Sequence, residues 1–228
     1  MIVVQDVARR YGATAALDGI SFEVPEEGTV AILGPSGSGK TTLLRLIAGL
    51  EAPDAGAITA GGRLLSAPGR VVAPHLRGMG LVPQASALWP HMTVAQNILF
   101  GLHGLPRAEA RRRLDELMAR TGLAPLARRY PHQISGGEAR RVALARALAP
   151  RPRYLLMDEP LTNLDGDLRD ALLALIRGLV GETRASLLYV THRPEEAGTL
   201  GGRVLRLRAG CVVAGDAGAA AGHGRHDG

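Results

Sequence analysis

The sequence predicts an α/β protein in which a mainly parallel sheet is flanked by helices, with an N-terminal antiparallel β subdomain and an inserted helical subdomain. Three observations carry this. An apolar run at Val30–Leu33 leads through a glycine-rich turn into an apolar pattern with helical spacing. A second apolar run, Tyr154–Met157, ends in Asp158-Glu159-Pro160 and opens a stretch in which helical and strand patterns alternate. Between them, from residue 87 to about 150, the character turns from strand-like to helical.

In chain order, Ile2–Val7, Ile20–Val24 and Thr29–Leu33 are β-rich runs separated by turns at Tyr11-Gly12 and Pro25–Gly28. The helix after the glycine turn is expected to bury Leu43, Leu44, Leu46, Ile47 and Leu50. Residues 51–80 are rich in Gly, Pro and Ala, with strand-like pieces at Ala57–Thr59 and Arg63–Leu65. Thr93-Val94-Ala95-Gln96 has the spacing of a capping box that opens a short helix. Pro106–Thr121 is amphipathic, with Leu114, Leu117 and Met118 on one face. Its run Arg111-Arg112-Arg113, interspersed with Glu109, Asp115 and Glu116, reads as a solvated face. A helix over Asp167–Leu179, a strand over Ser186–Val190, a helix from Pro194 and strands near Val204–Leu207 and Cys211–Ala214 complete a domain of residues 1–214. The Gly/Ala-rich tail 215–228, with two histidines, is expected to be disordered rather than to bind metal.

Composition narrows the class. With 228 residues and 46% apolar content the chain can bury a core, and at 3% aromatic content that core is built from Leu, Val, Ile and Ala. A single cysteine, Cys211, excludes an intramolecular disulfide and a cysteine-based zinc cluster, which fits a reducing compartment. It is expected to be a small side chain buried in a strand. The N-terminus lacks the pattern of a secretory leader, and no window reaches the roughly 18 apolar residues that a membrane-spanning helix needs. A soluble, cytoplasmic protein is therefore expected. The net charge of +6 is weak evidence for a polyanionic partner, because the arginines are scattered and few aromatics are available to stack on bases; no nucleic-acid partner is expected. Among 26 arginines there is one lysine, Lys40, which needs its own explanation.

Gly34-Pro35-Ser36-Gly37-Ser38-Gly39-Lys40-Thr41-Thr42 matches the phosphate-binding P-loop in full, between a predicted strand and a predicted helix, and makes the core that of a P-loop NTPase. Glycines let successive backbone N–H groups curl around a phosphate, the helix directs its positive end at the same anion, and Lys40 reaches the β and γ oxygens. Thr41 supplies a hydroxyl to Mg²⁺ and Thr42 a second phosphate contact. The alternative, a glycine-rich turn with an incidental lysine, does not explain the strand and helix on either side. At the end of the second strand, Asp158 suits Mg²⁺ or its water and Glu159 suits a base for an attacking water, since consecutive strand residues diverge. Taken alone, an Asp-Glu turn on the surface would be the simpler reading of that dipeptide.

What distinguishes this chain from other P-loop proteins is Ile134-Ser135-Gly136-Gly137-Glu138, followed by Ala139 to Leu148. On these residues the chain resembles the nucleotide-binding subunits of ABC transporters over residues 1–214. The resemblance implies ATP and Mg²⁺ as ligands. It also implies a head-to-tail dimer of two copies that sandwiches two ATP molecules, each between one P-loop and the partner's Ser135-Gly136-Gly137-Glu138. Family members usually carry Leu and Gln where this chain has Ile134 and Glu138. Glu138 has capping-box spacing to Ser135; left facing the triphosphate, its charge would weaken closure. Four further positions match the family: Tyr11 as the ring that stacks on adenine, Gln84 as a contact to Mg²⁺ and water, Asp165 at the dimer interface, and His192 as the switch histidine on the γ-phosphate.

The resemblance further implies separate transmembrane permease subunits, an extracytoplasmic solute-binding protein, and a peripheral position on the inner face of the cell membrane. The stretch Ala87–Ile98 is similar to that of importers of ferric iron, polyamines, sulfate, molybdate or thiamine. Its Trp89 reads equally as an exposed anchor for a permease or as a buried residue. Such importer subunits often carry a C-terminal regulatory domain, and with only residues 215–228 after the last predicted strand, feedback through one is not expected. An exporter subunit is the alternative with the same chemistry. A nucleic-acid-associated ABC ATPase would require coiled-coil insertions, zinc modules or a second cassette, none of which the sequence contains.

Overall fold

A computed structural model of the chain describes residues 1–213; Ala214 and the tail at 215–228 lie outside the described residues. The first half contains β1 (Ile2–Tyr11), β2 (Thr14–Val24), β3 (Thr29–Leu33), α1 (Lys40–Ala48), β4 (Ala55–Ala60), β5 (Arg63–Ala67), β6 (Arg70–Val71) and β7 (Met79–Val82). Then come α2 (Val94–Leu99), α3 (Arg107–Arg120) and α4 (Gly136–Leu148). The chain returns to the sheet with β8 (Tyr154–Asp158), α5 (Gly166–Thr183), β9 (Ser186–Thr191), α6 (Pro194–Leu200), β10 (Arg203–Arg208) and β11 (Cys211–Val213).

The strands form two sheets, as the α/β expectation requires. One is antiparallel, in the order β2-β1-β4-β5-β6; the other runs β11-β10-β3-β9-β8-β7 and is parallel except at β11. In β8 and β9 every residue is buried, because both faces are covered. Period-two alternation sends their side chains to two cores. Leu155, Met157, Leu187 and Tyr189 pack with α2 to α5, whereas Tyr154, Leu156, Leu188 and Val190 pack with α1 and the antiparallel sheet. Between β7 and β8 the secondary structure is entirely helical, in line with the change of character from residue 87.

Register then builds the site. Leu33 pairs with Thr191 and Asp158 with Val190, so β3, β8 and β9 finish side by side at one end of the sheet. Each is followed there by one of the sequence motifs. This is where parallel α/β sheets hold ligands.

Several local expectations change. The glycine after α1, Gly49, takes the left-handed conformation (φ 77°) and its N–H donates the closing hydrogen bonds to the carbonyls of Arg45 and Leu46, so Leu50 falls outside the helix and is 54% exposed. β1 and β2 are longer than their apolar runs because they are a ladder whose residues alternate between core and solvent. Arg113 does not join its neighbours in solvent: it donates to the carbonyls of Ala149 and Leu148 at the end of α4. Cys211 is exposed rather than buried, because β11 is an edge strand whose alternation turns Val212 toward the core instead.

Candidate nucleotide site

The loop between β3 and α1 holds the first group of functional side chains. Gly39 adopts φ 101°, and a Cβ placed on it would lie 2.4 Å from the carbonyl oxygen of Ala16 in β2, so the loop closes against β2 only with glycine here. Helix α1 starts at the next residue, and its first-turn N–H groups face the loop. Ser36, Gly37, Gly39, Lys40, Thr41 and Thr42 line a cleft of about 380 Å³ together with Tyr11, Ala16, Gln84 and Glu159. That is a volume suited to a small organic ligand. Gly34 and Pro35 line a different cavity of about 450 Å³ together with His192. Ser38 is buried with its hydroxyl unpaired, a polar group inside a loop built of backbone donors.

Lys40 is 5% exposed. Its Nζ donates to the carbonyls of Gly34 (2.7 Å) and Pro35 (2.9 Å) and lies 3.2 Å from Glu159 Oε1. Glu159 Oε2 in turn lies 3.0 Å from His192 Nδ1 and accepts from the Thr162 hydroxyl at 3.3 Å. A cation, a carboxylate and an imidazole are thus connected in series across the end of the sheet. Burial pushes the Glu159 carboxyl up, but hydrogen bonds and charge from Lys40 and His192 outweigh it and hold the group below its ordinary value of 4.5.

Asp158 behaves differently. Its burial, aided by the charge of Glu159, raises its carboxyl against the opposing hydrogen bond from Thr41. Thr41 Oγ1 donates to Asp158 Oδ1 at 3.2 Å. A hydroxyl and a carboxylate at this spacing, with the Gln84 amide on the same cleft, form an oxygen-rich donor set that fits Mg²⁺. The two acids diverge for a reason other than strand alternation. The strand ends at Asp158, and Glu159 turns the chain in the left-handed region at φ 42°. Strain of this kind is held at sites that need a fixed side-chain direction.

Tyr11 is 44% exposed at the mouth of the cleft. Its hydroxyl donates to Glu51, and the Arg9 guanidinium lies 5.0 Å from the ring centroid. Ser135, Gly136, Gly137 and Glu138 are not part of this cleft. They open α4, where the Ser135 hydroxyl accepts from the Glu138 N–H (3.2 Å) and Glu138 Oε2 accepts from the Ser135 N–H (2.7 Å). The capping box therefore forms, and the Glu138 carboxylate is turned onto its own helix start. A Cβ on buried Gly137 would meet the Leu168 side chain at 2.6 Å, so α4 packs tightly on the start of α5. There Asp165 caps α5 by accepting from the Leu168 N–H at 3.0 Å. The serine-glycine motif and Asp165 thus meet through Leu168, and neither lines the P-loop cleft of its own chain.

Two arginines on α4 were not legible as site residues. Arg140 donates to the carbonyls of Gln84 and of Thr162, the latter at 3.2 Å. Arg146 donates to those of Ala87 (2.9 Å) and Ser86 (3.2 Å) and lies 4.6 Å over the half-buried ring of Trp89, which also packs on Phe100. The segment after Gln84 is thereby strapped to the helix that begins with Ser135-Gly136-Gly137.

A family model described as ABC transporter matches residues 17–162, which include the P-loop, the Ser135-Gly136-Gly137 motif and the Asp158-Glu159 pair. The chain belongs to the ABC transporter family. Among curated members, it is 48% identical over 206 residues to the Fe(3+) ions import ATP-binding protein FbpC of Streptomyces avermitilis, covering 90% of this chain and 59% of that protein. It is 46% identical over 213 residues to the sulfate/thiosulfate import ATP-binding protein CysA of Mycobacterium bovis, covering 92% of this chain and 60% of that one. It thus spans about three-fifths of the length of these ABC relatives. Among solved structures, a dimer of the ATP-binding cassette MJ0796 bound to ADP and Pi superposes with a TM-score of 0.83 at 29% identity, covering 95% of this chain and 98% of the other. CbiO1 of Clostridium perfringens, part of the ABC transporter complex cbiONQ, gives 0.84 at 27% identity, covering 94% and 87%. Among the described residues, no helix is long and apolar enough to cross a membrane.

Proposed function

We propose that this chain is the ATP-binding, ATP-hydrolysing subunit of an ABC importer, with residues 1–214 as its cassette and the helical subdomain over 87–150. The observation that carries the reading is the Lys40–Glu159–His192 series, whose lysine and glutamate line the P-loop cleft and whose histidine reaches it through Glu159. ATP places its triphosphate against residues 34–42 and its base on Tyr11. Lys40 and His192 meet the γ-phosphate oxygens. Glu159 accepts a proton from water as its oxygen bonds to the γ-phosphorus and the bond to the bridging oxygen of ADP breaks. Thr41, Asp158 and Gln84 are the residues that would hold Mg²⁺, which neutralises charge on the β and γ oxygens when bound.

The Ser135-Gly136-Gly137 motif lies outside its own chain's cleft, which supports a head-to-tail dimer in which each motif serves the partner's ATP, with Asp165 between the subunits. The solved MJ0796 relative is likewise a dimer. Trp89, Phe100 and the strapped segment 84–89 form the face for a permease subunit, working with a solute-binding protein at the cytoplasmic membrane. FbpC and CysA are named for different cargoes, Fe(3+) and sulfate/thiosulfate, so the cargo is chosen outside this subunit. The test is Glu159→Gln. It should abolish steady-state ATP hydrolysis and accumulate an ATP-bound dimer on gel filtration; unchanged turnover would remove Glu159 as the base.

A further inference from the structure

Helix α6 hides a carboxylate that the chemistry above does not use. Glu196, in the first turn of α6, is 3% exposed. Its hydrogen-bond partners are two hydroxyls rather than a cation: Tyr189 donates to Oε2 at 2.9 Å and Thr191 to the same oxygen at 2.6 Å. The Thr191 hydroxyl accepts in turn from the Arg193 N–H at 3.0 Å. Hydrogen bonds therefore run in one direction, from the Arg193 amide through Thr191 to Glu196, with Tyr189 converging from β9. The residue enclosed by Thr191 and Arg193 is His192.

Burying a carboxylate is costly, and apolar packing would fill the same space at least as well for stability alone. What an acceptor at this point adds is direction. The His192 side chain is 41% exposed, and among the described residues its ring bonds only to Glu159. A ring so lightly held takes its aim from its backbone. That backbone leaves β9, turns at Thr191 through a side-chain-to-main-chain hydrogen bond, and enters α6 at Arg193 (φ −108°, ψ 114°). Glu196 fixes the hydroxyl that makes this turn, and both of its partners lie on the strand that delivers the histidine.

We infer that Glu196 is a positioning residue for His192, setting the direction of the imidazole toward Glu159 and the γ-phosphate. This deepens the ATPase reading and rests on it. Glu196→Leu leaves two buried hydroxyls without an acceptor, and should lower kcat about tenfold or more while KM for ATP stays within about twofold. Glu196→Gln keeps one acceptor oxygen and should recover part of that loss. Thr191→Val, nearly isosteric, breaks the same turn without disturbing the carboxylate's pocket and covers the case in which Glu196→Leu does not fold.

A double-mutant cycle decides the mechanism. With His192→Ala already in place, Glu196→Leu or Thr191→Val should cause little further loss of kcat. The same tenfold loss in that background, or a rise in KM matching the fall in kcat, would make Glu196 a purely structural residue and overturn the proposal. A His192→Ala chain with wild-type kcat would instead overturn the γ-phosphate role of His192, and this inference with it.

Discussion

At the scale of single residues, the lone lysine is buried and held from several sides. Lys40 meets two loop carbonyls and Glu159 at once, which a compact ammonium with three donors can do and a planar guanidinium cannot. Lys40→Ala should weaken ATP binding by about 1.5–3 kcal/mol, or about 10- to 150-fold in Kd by calorimetric titration, and Lys40→Arg should not restore it. Retained affinity in the alanine variant would remove the P-loop from the binding site. The convergence of Lys40, Thr41, Gln84, Asp158, Glu159 and His192 was legible because each follows a motif at the end of a strand. Arg140 was not. Its contacts reach carbonyls 56 and 22 residues away, and an arginine bonding to backbone leaves no pattern in a sequence that contains 26 of them.

At the scale of elements, helix ends account for much of what local sequence can specify. The capping boxes at Thr93 and Ser135 form as their spacing requires, because both partners lie within one turn. The hydrogen bond from the Ser135 backbone N–H, then that of its side chain, holds Glu138 below its ordinary value of 4.5. A lowered folded value means that this stabilisation is present above the unfolded value and is lost as pH falls through the folded one. The Ser135 amide proton should therefore titrate by NMR with a midpoint below 4.5. A midpoint at or above that value would mean that the box is open in solution.

The end of α1 shows the opposite case. Arg77 is 5% exposed and donates to the carbonyls of Leu46, Ile47, Leu65 and Val72 and to the Ser66 hydroxyl, joining α1 to β5 and the loop after β6. Burial lowers its guanidinium to about 10, which still leaves it charged at neutral pH. Arg77→Ala withdraws a buried charged donor from four carbonyls and the Ser66 hydroxyl and should cost about 3–5 kcal/mol in urea denaturation. A loss under about 1 kcal/mol would mean that water replaces the guanidinium. Nothing around Arg77 in the sequence marks it, since its partners come from three separate segments.

At the scale of the whole molecule, the P-loop cleft and the Ser135-Gly136-Gly137 surface occupy different places on one chain, and complementation tests what that separation means. Lys40→Ala and Ser135→Arg chains should each be inactive alone. Mixed together they should recover ATP turnover, because a mixed dimer joins one intact P-loop to one intact serine-glycine motif. Failure of any mixture to recover would argue that each chain completes its own site.

The sequence by itself determined the α/β class, the phosphate loop, the acid pair and the helix caps, because each depends on residues close in the chain whose spacing is set by strand, turn or helix geometry. Tertiary structure alone decided that Cys211 is exposed and that Arg113 and Arg77 serve helix ends. It decided equally that Glu159 gains its direction from a left-handed turn and that Glu196 braces the strand end beside His192. Those outcomes depend on which distant carbonyls and hydroxyls lack partners once the sheets and helices have packed, and hydrogen bonds of that kind have no period to read.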